Sequence, residues 1–152
     1  MGSDLFGAEL IESYLRARQV RYFRGHHDDE FFFLINAYHG RLHVHLEVST
    51  ADRDSIAISV SAERYYPAQL RGCLMALVDG WNSGNPWARA TLVTSSDPNL
   101  LGIAADNRYS REAVEFAKVV DHTLQSAIEL FGRARALAVG SGSDGNPLRD
   151  AG

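Results

Sequence analysis

The sequence predicts an α+β domain: an antiparallel β-sheet with helices packed on it, in the order α-ββββ-α-ββ-α. Three observations carry this. RLHVHLEVS and SIAISVSA alternate apolar and polar residues strictly, as strands do when one sheet face is covered and the other wetter, a pattern that favours antiparallel pairing. Segments with apolar residues at helical spacing stand before, between and after the strands. The strands come in groups rather than taking turns with helices, which points to α+β and away from a βαβ series.

Taken in order, LFGAELIESYLRARQ places Phe6, Leu10, Ile11, Tyr14 and Leu15 on neighbouring helical faces, predicting a helix over 4–18 with Asp4 as N-cap. VRYFRG and EFFFLINAY are aromatic and β-branched, hence strands, separated by the polar cluster HHDD. In RLHVHLEVS, Leu42, Val44, Leu46 and Val48 oppose His43, His45 and Glu47; SIAISVSA follows with Ile56, Ile58 and Val60. The connections HHDD, YHG and TADRD are of hairpin length, so these four strands form a meander. In YYPAQLRGCLMALVDGWN, Pro67 suits a first helical position, and Leu70, Cys73, Leu74, Leu77, Val78 and Trp81 make a wide apolar stripe. Asn82 and Gly84 supply stop residues. ARATLVTS and LLGIAADNR are strands joined by the turn DPN. The last helix is capped by Ser110, with Val114, Ala117, Val120, Leu124, Ala127, Ile128 and Phe131 on its buried face.

Domain organisation follows from this reading. Residues 1–3 are a disordered start or a cloning remnant, 4–136 a single domain, and 137–152 a flexible Gly/Ser-rich tail. The balance of 15 basic against 19 acidic residues, net −4, argues against nucleic-acid binding by general phosphate attraction. No apolar run approaches the ~20 residues that span a bilayer, and the first residues lack the pattern of a secretion signal. The single cysteine excludes an internal disulfide, and a reducing cytoplasmic home is the simplest fit.

The first helix ending in YLRARQVRYFR, the meander, and a second helix whose VDGWN leads by a short loop into ARATL resemble the YbjN-like proteins, described as bacterial sensory transduction regulators. Their fold is similar to that of the type III secretion chaperones. The resemblance spans about residues 4–136 and rests on element order and on VDGWN…ARATL rather than on a catalytic motif. It implies a homodimeric α+β protein that binds a partner protein and performs no chemistry.

Candidate sites are few. His26, His27, Asp28 and Asp29 form the densest ligand-type cluster, and His43 and His45 share one strand face, so these four histidines are the candidate ligands of a divalent transition metal. The competing reading is a solvated hairpin turn and a polar sheet face. Cys73, at the centre of an apolar stripe, is expected to be an inert core thiol. Asp121 and His122 diverge by about 100° on their helix, and Asp121 at the stripe's edge needs an Arg partner. No Walker loop, dinucleotide fingerprint or nucleophile–base arrangement is present, so no enzyme and no cofactor are expected.

Aromatic residues are the better clue. FFFLI cannot alternate, so both faces of its strand meet something apolar: helices on one side, a dimer mate or client on the other. In DGWNSGNPWARA, Trp81 belongs to the helix stripe and Trp87 opens the next strand, a helix-to-strand clasp rather than a ligand loop. The expectation is a non-enzymatic, chaperone-like or regulatory homodimer with an unidentified protein partner. Phe31, Phe33, Leu74, Trp81 and Trp87 are the candidate partner or dimer surface. The alternative is a small-molecule or metal-sensing domain using the His-bearing face.

Overall fold

The computed structural model describes residues 6–27, 29–37, 40–51, 54–111 and 115–145, with side chains to 140. Its elements are α1 (Ala8–Ala17), β1 (Tyr22–Arg24), β2 (Glu30–Ala37), β3 (Gly40–Val48), β4 (Ser55–Ala62), β5 (Tyr66–Pro67), a 3₁₀ turn (Ala68–Leu70), α2 (Arg71–Gly84), β6 (Arg89–Thr94), β7 (Leu100–Ser110) and α3 (Phe116–Gly145). The predicted α+β class and element order hold, with β5 as one short addition. All strand pairs are antiparallel, and β1 to β4 form the expected meander. β7 lies beside β4 on one edge and β6 on the other, because Ala104 and Ala105 pair with both. Leu101 pairs with Tyr66 of β5 as well as Thr94 of β6, so β5 continues the line of β4.

Alternation decides which residues make the core. Phe31 and Phe33, Val44 and Leu46, Ile56 and Ile58, and Ile103 and Ala105 point to one face, where Ile11, Leu15, Leu74, Val78, Val120 and Leu130 of the three helices meet them in a single cluster. Among the described residues no helix covers the opposite, outer face.

Side-chain bonds fasten the helices. Asp121 of α3 accepts a hydrogen bond from the Tyr14 hydroxyl at 2.6 Å and pairs with Arg18, the Arg partner its position required. Partial desolvation pushes the Asp121 carboxyl up, but hydrogen bonds from Arg18 and Tyr14 more than offset it, leaving the pKa below the ordinary carboxylate value. Glu12 of α1 accepts from the Tyr22 hydroxyl at 3.0 Å and from Arg24 at 2.6 Å, tying the short β1 to the helix.

Several expectations need correction. Pro67 does not open a helix: it lies in β5 with ψ 139°, and the α-helix begins at Arg71. Cys73 is exposed rather than core, because Leu74, Val78 and Trp81 define the buried line of α2 and Cys73 sits one residue, about 100°, away from it. Ser110 does not cap α3; it is the last residue of β7, opposite Ser55, since the strand continues to bury Tyr109. α3 also runs past 136 through Gly145, taking in residues 137–145 that composition had assigned to a tail. Leu137 and Ala138 continue a strongly helix-favouring stretch, and Ala138 packs against the core. Asp4, Asp28 and Val114 lie outside the described residues.

Candidate functional site

Among the predicted partner-surface residues, four are interior: Phe31, Phe33, Leu74 and Trp81 belong to the core, while Trp87 is half-buried. The reason is register. In FFFLI, Phe31 and Phe33 point to the helices, so Phe32 and Leu34 point outward and stand about two-fifths exposed, at 40% and 42%. Phe23 of β1 lies directly opposite Phe32 and is 57% exposed. These three apolar side chains, with His43, line a shallow groove of about 360 Å³ on the outer face. Register thus puts Phe32 and Leu34, one step along from Phe31 and Phe33, on the outer face.

The groove has a polar rim built from β2 and β3. His45, opposite Phe32, stacks on its ring with centroids 4.5 Å apart. The His45 Nε2 lies 2.9 Å from Glu30 and 3.9 Å from Glu47. Glu30 folds back over Gly25, where a Cβ would come within 2.2 Å of its carboxylate, and accepts a hydrogen bond from the His26 backbone N–H at 3.0 Å. Partial desolvation raises the Glu30 pKa, but the His45 contact and the His26 and His27 amides outweigh it and hold the carboxyl below its ordinary value. This carboxylate organises the β1–β2 turn.

The predicted metal ligands are divided by the fold. His27, Glu30 and Glu47 each bring one ligand atom within 4.8 Å of the others, and His45 adjoins them. That is a nitrogen and oxygen set suited to a divalent transition metal. His43 is not part of it, facing Glu63 at 3.3 Å, and His26 contributes its backbone N–H to Glu30. Glu30 and Glu47 escaped notice in the sequence because they meet only through the register that sets them opposite each other.

At the other end of the sheet, DGWNSGNPWARA is a clasp, as read. The Trp81 indole donates to the Ala88 carbonyl at 2.9 Å, and the Trp87 N–H donates to the Asn85 side chain at 3.0 Å. Trp87 meets His122 of α3 edge-on, with centroids 4.4 Å apart. Asn82 takes the place of a neighbouring strand: its amide donates to the Ala90 carbonyl at 2.9 Å and accepts from the Ala90 N–H at 2.7 Å.

No helix among the described residues is long and apolar enough to cross a membrane. No family model and no curated protein matches the chain. Among solved structures the fold is similar to that of YbjN from E. coli, described as "a putative transcription regulator", with a TM-score of 0.64, 15% sequence identity, and coverage of 86% of this chain and 92% of that one. The likeness is one of fold. It agrees with the resemblance drawn from element order and fits a chaperone-like α+β architecture.

Proposed function

We propose that the chain is a non-enzymatic protein-binding domain, cytoplasmic, acting as a homodimer in a regulatory or chaperone-like role. One observation carries the reading: Phe23, Phe32 and Leu34 form a contiguous exposed apolar groove beside a terminal strand. Large rings left in water beside a sheet's terminal strand suit a partner chain better than a small polar substrate. The similarity to YbjN supports a regulatory role. Native co-purification tests it. The wild-type chain should retain a defined protein that a Phe23→Ser/Phe32→Ser variant loses, and an identical set of proteins with both would refute the assignment of this surface.

A second reading rests on the cluster of His27, His45, Glu30 and Glu47, which suits metal sensing. Untagged protein should then gain thermal stability with added zinc and lose that gain in His45→Ala. No change in melting temperature with zinc or nickel would dispose of it.

A further inference from the structure

A different part of the molecule, sharing no side chain with the aromatic groove's three apolar residues, carries an independent inference. Where α3 passes the paired ends of β2 and β3 there is a cleft of about 300 Å³ whose wall includes Gly40, Arg41, Glu63, Arg64, Tyr66 and Arg135. A second concavity of about 280 Å³ adjoins it and shares Arg64, Tyr66 and Arg135. Those three residues therefore stand at the junction of one continuous surface.

The charge there is unbalanced. Three guanidiniums face one carboxylate, and Glu63 is already engaged, 3.7 Å from Arg41 and 3.3 Å from His43. Arg64 and Arg135 have no carboxylate partner among the described residues, and they stand together in this one wall. Like charges gathered without a counter-ion repel one another, so such an arrangement gains from a bound anion.

Tyr66 supplies the second observation. It is 2% exposed, and its hydroxyl has no hydrogen-bond partner among the described residues. No fully enclosed polar side-chain atom among those residues is left unpartnered, so this oxygen opens into the cleft. Burial pushes the phenol pKa up, with Arg64 and Arg135 opposing the rise in part, so the group is a neutral donor at pH 7. The ring is held by the core while its hydroxyl faces the cleft, so the donor is fixed in position and free to meet an acceptor oxygen from a ligand.

We propose that this cleft binds a small organic anion, gripping a carboxylate or phosphoryl group between Arg64, Arg135 and the Tyr66 hydroxyl. Guanidiniums present the planar donor fork that both groups accept, and the volume lies at the small end of ligand sites. Tyr65 and Val139, 46% and 51% exposed in the adjoining concavity, offer apolar surface to the ligand's body.

The test is calorimetric titration of the full chain with citrate and with pyrophosphate, ionic strength being matched with sodium chloride. Saturable binding of either is expected, and which anion binds more tightly distinguishes a carboxylate ligand from a phosphoryl one. Loss of one charge-assisted hydrogen bond should weaken binding ~10-fold or more in Arg135→Gln, and Tyr66→Phe should weaken it as well without disturbing the fold. Arg21→Gln, an exposed arginine outside the cleft, should leave it unchanged. Absence of binding beyond the chloride control overturns the proposal, and so does binding that survives both Arg135→Gln and Tyr66→Phe.

Discussion

The two ends of the sheet treat their edges in opposite ways. At the β6 end, Asn82 occupies the hydrogen-bonding groups of Ala90, and Trp81 and Trp87 anchor the approach from α2 and α3. At the β1 end, a three-residue strand is the terminal member, with Phe23 and Phe32 side by side in solvent. A sheet edge invites pairing with another chain unless something blocks it. The large and polar residues of DGWNSGNPWARA are thus engaged within the molecule, blocking the β6 edge at Ala90, and the proposed partner surface is at the other end.

If that contrast is right, mutations at the closed end act mainly on stability. Trp81→Ala removes a 4%-exposed ring and its bond to Ala88, and should cost ~3–5 kcal/mol by denaturant unfolding. Asn82→Ala strands two groups of the buried Ala90, so a loss of ~1–3 kcal/mol is expected, together with a tendency to associate through the newly bared edge.

Acid should separate the ends further. Glu30 has a folded pKa below its ordinary value, so its contribution to the β1–β2 turn is complete above an unfolded pKa of about 4.3 and is lost as pH falls through the lowered folded value. His27, His45 and Glu47 surround it, whereas the bonds made by Trp81 and Asn82 involve no titrating group. Hydrogen-exchange protection at the Gly25 amide should therefore fall in acid before that at Ala90. Equal loss at both would erase the distinction.

The fold was legible where periodicity was unambiguous. β3 and β4 alternate without a break, and their inward residues could be read directly. FFFLI was harder, because three consecutive phenylalanines hide which two are inside, and only pairing with Val44 and Leu46 settles it. In α2 a six-residue apolar stripe is wider than the face the core covers, which is why Cys73 was misplaced. A two-residue strand such as β5 has no periodicity to detect. The candidate sites were least visible: Glu30 with Glu47, and Arg64 with Arg135, are brought together by register and by helix packing from positions without a common motif.

Phe32→Ser should change the stability of the monomer itself least, by roughly 1 kcal/mol, since the ring it removes is already 40% exposed but stacks on His45 across the strand pair. Its effect on association makes it the most direct test of the central claim. Light scattering at tens of micromolar, as an order of magnitude, should give a dimer for the wild-type chain and a folded monomer for Phe32→Ser, with a lower melting temperature that no longer depends on protein concentration. A wild-type chain that is strictly monomeric, or a variant that remains fully dimeric, would contradict the account.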